Sequence, residues 1–463
     1  MRIFYRHAML VITLILVSTR VCAMSTDNMF RQVDLANSNL NTQHKLLFTH
    51  LDNETLDLAR SVALDLAEEV SKNFDIDSVT YAKVLTNAAI LDSLSGNESE
   101  ALISLNKAVE LIEAVNVYHA HLFRILMARA YIETTLKQFD VATETLRRAQ
   151  HISHRQDGVY TRLQLPAVNN LAAIQLQQGF HERADLQQRF NLKVSEQAFG
   201  VNGEELLPTL EKLGAYFAMR GYSVSQYGTT ENRMFRDQLF RQSVSLYNRS
   251  ISIIEDKYGT DDLRLVKLLI GLSNARFKQG APRNLTKEPM ERALSIVSTH
   301  PSTDESDIAK SFVNLADTYI ITSDHRAKEV YLQAWQVLAD HPEYDELRYE
   351  LFGKPKRLFP KRRIQPVLNR FPASVQPGHK LFMDLEYDVR SDGRVQNVRV
   401  IDSNIPNEQK RVFKGIISKM RFRPRIVDGE LFETKGLSLH QIFRVVGQAP
   451  SVGISLNPSP IPR

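Results

Sequence analysis

The histidines are the first residues to weigh for chemistry. His119 and His121 are two apart, and His151 and His154 are three apart. A structural or catalytic zinc takes three or four His, Cys or carboxylate ligands that converge on one point. On a helix the first pair points to different faces. The second pair shares a face, but no carboxylate follows it at ligand spacing. His181-Glu182, beside Gly179-Phe180, reads as a turn pair. There is no Gly-rich phosphate loop, no H-E-x-x-H and no G-x-S-x-G. Trp335 falls in a helical stretch and reads as core. The expectation is a protein that is not an enzyme, holds no metal and no cofactor, and works by binding.

The elements that would position a binding site come next. The chain has 463 residues, 43% hydrophobic and 24% charged, which is the balance of a soluble protein with more than one domain. Arg2, Arg6 and His7 precede the apolar run Ala8 to Val17, which is short for a bilayer span. Val21-Cys22-Ala23 fits a small-residue cleavage site. The expectation is a signal peptide over residues 1–23, a mature start at Met24 and export. An uncleaved anchor stays open, although Arg20 interrupts the apolar run. Cys22 is the single cysteine and would leave with the leader, so no disulfide framework is expected. Val21 before it does not suit lipid attachment.

Charge divides the chain. Lys354 to Arg463 holds 21 basic and 9 acidic residues, a net +12, and the 37 basic and 44 acidic residues elsewhere leave −7. Eleven of the 17 prolines lie from Pro355 onward. Both shifts put a boundary near residue 353.

From about Thr42 to Asp340 the apolar pattern has a helical period. Ala101, Leu105 and Ala108 recur 41 residues later as Ala142, Leu146 and Ala149. Further copies are Ala327, Tyr331, Ala334; Ser243, Tyr247, Ser250; and Thr286, Met290, Ala293. Ala184, Ala59 and Ala63 mark degenerate copies, and an insertion falls at Tyr222 to Phe240. Small residues at i and i+7 with a larger one at i+4 let antiparallel helices approach closely. A fixed period of this size indicates a solenoid of helix pairs. The pattern over residues 24–350 resembles the tetratricopeptide repeat in its variety of about 42 residues. Ser250 to Glu255 with Tyr258 to Asp262, and Ser195 to Gly200 with Leu206-Leu207-Pro208, are similar to its linkers. Leu213-Gly214 and Leu315-Ala316 stand where its first helices carry a packing pair. Such solenoids bind peptides on a concave face. In that variety asparagines of the first helices hold a peptide's backbone, and Asn87, Asn170 and Asn314 fall at nearly equivalent places. Ordinary polar positions at helix seams remain the alternative for them.

Residues 351–370 read as a basic, proline-containing linker. From Gly353 it holds seven basic residues and no acidic one. Lys354 to Arg370 can attract an anionic membrane surface, or can simply keep the linker solvated. Nucleic acid is not an expected partner of an exported chain.

Leu381, Met383, Leu385, Tyr387 and Val389 alternate with polar residues, which marks a half-buried strand. Asp392-Gly393 supplies a tight turn, and Val395 to Ile401 returns as a second strand. Asn404 and Pro406 open a helix with Val412, Phe413, Ile416, Ile417 and Met420 on one face. Asp428-Gly429 forms a turn before a third strand, Gly436 to Val446. Phe371-Pro372, Tyr387-Asp388-Val389, Asp392-Gly393-Arg394-Val395, Asn397 to Val400 and Arg421-Phe422-Arg423-Pro424, in this order, resemble the C-terminal domain of TonB, the envelope energy transducer. The likeness covers residues 371–449, and a tail, 450–463, is expected to be disordered.

That resemblance implies a small α+β domain, a three-stranded antiparallel sheet crossed by one helix, placed after the all-α solenoid. It also implies a free edge on the last strand that adds a segment of an outer-membrane transporter. Here the edge is Leu437, Ser438, Leu439, His440, Gln441, Ile442, Phe443, Arg444, Val445 and Val446, with Phe371 and Pro372 near the same groove. The short apolar run Ala8 to Val17 holds no histidine of the kind expected in the transducer's motor-coupling anchor, and a helical solenoid stands in place of its proline-rich rod. The expectation is a periplasmic adaptor that binds envelope proteins by strand addition. A membrane-anchored transducer and a binder of anionic envelope surface are the alternatives.

Overall fold

A computed structural model describes residues 26–35, 37–73, 76–224, 229–339, 341–358, 367–368 and 380–445. The expected leader, Phe371, Pro372, Val446, the tail and most of the basic stretch 359–370 lie outside these residues. The chain divides into two compact units, 1–209 and 210–463.

The first unit is helical. Its elements are α1 Ser38–Asp52, α2 Leu56–Ser71, α3 Ser78–Leu94, α4 Glu98–Val115, α5 Leu122–Thr135, α6 Phe139–Asp157, α7 Leu165–Gln177 and α8 His181–Phe199. Asn37 and Asp77 cap α1 and α3 by accepting from the first-turn amides. Links of three residues, as between α2's predecessor and α2 or α3 and α4, return the chain antiparallel. The repeating small and large residues form the seam, and Ala101, Leu105, Ala108, Ala142, Leu146 and Ala149 are all fully buried. His181 and Glu182 open α8 rather than forming a turn. Ahead of α1, residues 26–35 begin with one 3-10 turn and then run without regular structure.

The second unit continues the helix pairs with α9 Leu207–Ser223, α10 Thr230–Tyr258, α11 Arg264–Gln279, α12 Arg283–Thr299, α13 Glu305–Thr322, α14 Ala327–Ala339 and the short α15 Asp345–Phe352. Much of the insertion expected at Tyr222 to Phe240 is helical and lengthens the start of α10. The repeat set of α10 explains two glycines. A Cβ on Gly214 of α9 would meet the Tyr247 ring at 3.1 Å, and one on Gly271 of α11 would meet it at 2.5 Å. Only a missing side chain lets both helices close on this ring.

The expected linker is partly folded. Leu351, Phe352 and Leu358 are buried. Strand β1, Lys356–Arg357, pairs antiparallel with β5, Phe422–Arg423. Strand β2, Val367–Leu368, lies in the same basic stretch. Two-residue strands leave no periodicity to read, so the sequence could not announce them.

The remaining strands are β3 Leu381–Val389, β4 Val395–Ser403, β6 Arg425–Val427, β7 Glu430–Phe432 and β8 Thr434–Val445, with α16, Asn407–Ser418, after β4. The main sheet has the order β2-β8-β3-β4. Its β8-β3-β4 part is antiparallel, as the alternation implies, and β2 joins β8 in parallel. The expected three-stranded sheet is therefore corrected to four mixed strands. Phe413 and Ile417 of α16 cover one face, packed on Met383, Leu385, Leu439 and Phe443. Val412, expected on that face, is 60% exposed. Asn404 does not cap α16, whose N-cap is Pro406. Its amide instead accepts from Phe382 N at 2.8 Å and donates to Lys380 O at 2.9 Å, which fixes the start of β3.

Candidate functional site

In the first unit the informative position is Asn87, in the middle of α3. This helix is buried from Val84 to Ser93 on nearly every side, so a polar side chain inside it must find a partner. Asn87 is 1% exposed. Its Oδ1 accepts from Phe30 N at 2.7 Å, and its Nδ2 donates to Phe30 O at 2.9 Å. One side-chain amide thus matches both backbone groups of one residue, a contact that reads extended main chain and ignores the side chain. The backbone held belongs to the chain's own N-terminal segment.

Neighbouring helices complete the grip. His44 of α1 places Nε2 3.1 Å from Phe30 O. Arg124 of α5 donates to Met29 O at 3.1 Å, and its guanidinium lies 5.4 Å from the Phe30 ring centroid. The His121 ring meets the Phe30 ring edge-on at 5.2 Å. Arg31 pairs with Asp52 at 2.8 Å and lies over Phe48. Met29, Phe30 and Leu35 are 2%, 4% and 1% exposed. Burial lowers the His44 imidazole below its usual range, against its bond to Phe30. Burial, with Lys83, His119 and Arg124 close by, pushes His121 down to about 4. Both rings are neutral at pH 7.

Asn170 and Asn314 are half-buried, and neither is brought to a comparable clamp among the described residues. The neighbouring Asn169 takes the seam contact instead, accepting from Asn191 at 2.7 Å. His44 and Arg124 were not singled out in the sequence, and His121 stood out only as one of a histidine pair. Their signal was the apolar pair Met29-Phe30 ahead of the Asn37 cap, in a stretch with no helical period.

The first histidine pair is placed differently from its helical spacing. His119 and His121 precede α5 rather than lying on a helix, and their rings are 4.8 Å apart. His154 is bonded to Gln164 Oε1 at 2.7 Å. Among the described residues no group of three metal-ligating side chains converges. Nor is any helix among them long and apolar enough to cross a membrane.

In the second unit β8 carries the predicted edge. Leu439 and Phe443 point to the core under α16, and the Phe413 and Phe443 rings meet at 5.1 Å. Ser438, His440 and Ile442 face the open side of the sheet. His440 Nδ1 is 2.6 Å from Asp384 Oδ1, and its ring stacks on Phe382. One correction is needed. The edge is not free along its whole length, because β2 pairs with Arg444 and Val445. A strand pair forms wherever an extended backbone passes an unpaired edge. From Thr434 to Phe443 no described strand lies on that side, and β4 is the opposite edge.

No protein-family model matches the chain, and no curated protein does. Solved structures similar to it include BtubC (BKLC) from P. vanneervenii, with 16% identity, a TM-score of 0.38, and coverage of 52% of this chain and 91% of that one. A tetratricopeptide repeat protein from Parabacteroides merdae has 14% identity, a TM-score of 0.33, and coverage of 68% and 98%. The helix pairs described above make this a helical-repeat protein with a small C-terminal sheet, and such repeats are commonly scaffolds for binding other proteins.

Proposed function

We propose that this chain is an exported, periplasmic adaptor without catalytic activity, whose C-terminal sheet binds an envelope partner by adding a strand along β8. The observation that carries this reading is the outer side of β8 from Thr434 to Phe443, which faces no described strand. The order of strand, Asp-Gly turn, strand, helix, Arg-Phe-Arg-Pro and last strand supports the TonB-like comparison, and with it the choice of an outer-membrane transporter segment as partner. Strand β2, added in parallel at the far end, is a short internal instance of the same pairing. Each backbone hydrogen bond gained is worth about 0.5–1.5 kcal/mol net, so a short segment binds reversibly. The helical repeats hold the sheet rather than transmit force, in the absence of the transducer's rod.

A photo-crosslinker at position 438 of the full-length protein, in cells, identifies the bound segment. A synthetic copy of that segment should then protect the amides of Thr434 to Phe443 from hydrogen exchange. Protection confined to α16 would show that the partner docks on the helix and that strand addition is wrong.

A further inference from the structure

We propose that residues 26–35 are a built-in occupant of a peptide-binding groove in the first unit, and that a partner's extended peptide takes the groove by displacing them. The partner segment has a bulky apolar residue, an aromatic residue and a basic residue in succession. The proposal rests on the adaptor reading only for the existence of a peptide partner, and its test does not involve β8.

The route of the segment carries the argument. The main chain of Met29 and Phe30 is held by His44 on α1, Asn87 on α3 and Arg124 on α5, while Asp52 and Asn41 of α1 take Arg31 and Leu35 N. Helices α1, α3 and α5 are the first helices of three successive pairs, so the segment runs across repeats along one face. A brace closing the end of the helix stack would cover α1 and α2 alone. The contacts at Phe30 and Met29 are also made to main chain, on both Phe30 groups and on Met29 O. Such contacts serve any extended peptide equally well.

The side-chain sites set the preferred class. Met29 and Phe30 are almost wholly buried, and Phe30 lies against His121 and Arg124. The next residue, Arg31, is paired with Asp52 and covers the Phe48 ring. Asp52 thus offers a carboxylate to a basic residue directly after the aromatic one. Tethering gives the chain's own segment a high effective concentration, so it masks the groove until it is weakened or outcompeted.

The test uses the full-length protein and a fluorescein-labelled synthetic peptide with the sequence of residues 26–35, read by anisotropy. Phe30→Ala should loosen the tethered segment and tighten peptide binding by about tenfold, because the open fraction of the groove rises. Phe30→Ala combined with Asn87→Ala should abolish that binding. A Phe30→Ala protein that keeps its far-UV circular dichroism but gains no peptide affinity overturns the proposal. Loss of the helical signal in that variant also overturns it, because the segment would then be a structural brace. A second measurement uses the unaltered sequence. Excess unlabelled peptide should speed hydrogen exchange at the Phe30 amide, and unchanged protection at saturating peptide overturns the proposal independently.

Discussion

Arg423 and Asp317 join the motif that follows α16 to the helical repeats. The guanidinium donates to both carboxylate oxygens, at 3.0 and 2.7 Å, and to Leu351 O at 3.1 Å. Tyr331, one of the repeat-seam residues, donates to the same carboxylate at 2.6 Å. Arg423 is 4% exposed. Burial would lower its pKa, but the Asp317 carboxylate and the Tyr331 hydroxyl together outweigh burial and the net shift is upward. The Arg-Phe-Arg-Pro stretch is thus a dock onto α13 and α14, and Trp335 of α14 stands close enough to Gly429 that an added Cβ there would meet its ring at 3.3 Å.

Removing one member of that pair should be costly. Arg423→Met takes the cation from the half-buried Asp317, 21% exposed, so the cost should reach at most the about 3–5 kcal/mol of breaking a fully buried pair. Urea unfolding of the two single variants and the double variant measures it. If the double variant is no more stable than the sum of the singles predicts, the two residues are not coupled.

Gly393 makes a second test. Its φ is +76°, and a Cβ there would lie 2.1 Å from Phe422 O. Phe422 N also donates to Gly393 O at 2.9 Å, so the hairpin tip cannot retreat without losing this bond. Gly393→Ala should destabilise the protein by more than about 1 kcal/mol. Gly415→Ala, in α16 with nothing within 4 Å, should instead be neutral or stabilise by roughly 0.5–1 kcal/mol. Equal thermal shifts for the two variants would contradict the account.

Asp388 ties three strands together. Its carboxylate accepts from Asn397 at 2.7 Å and from Gly436 N at 2.9 Å. The Asn397 bond leads in holding its pKa below the usual carboxylate range. The folded state therefore binds this proton less readily than the unfolded chain. The contribution is complete above about pH 4 and is lost as pH falls through the depressed folded value. Asp388→Asn should remove that part of the acid sensitivity, and an unaltered stability profile below pH 4 would count against it.

His121 gives the first unit its own pH dependence. The unfolded imidazole titrates near 6.5 and the folded one near 4. Protons therefore favour release of the ring, and the contribution present above pH 6.5 declines across the interval down to about 4. His44 shifts in the same direction. Exchange at the Phe30 amide, corrected for intrinsic rate, should accelerate relative to core amides of α4 across this interval. A constant ratio would show that the rings do not hold the segment.

The sequence by itself determined the helical repeat, because small and large residues at fixed spacing can bury a seam in only one way. Ala101, Leu105 and Ala108 are buried as their spacing implies. The β3–β4 hairpin was legible for a similar reason, in an alternation of two around Asp392-Gly393. The edge was legible only in part. A strand's own pattern says which face is buried, but not which backbone lies beside it, and so β2 on β8 was invisible. Asn87 was legible as a residue and not as a contact. Its partner is 57 positions away in a stretch with no period of its own. Only the fold brings α1, α3 and α5 to one face and turns a buried amide into a clamp on Phe30.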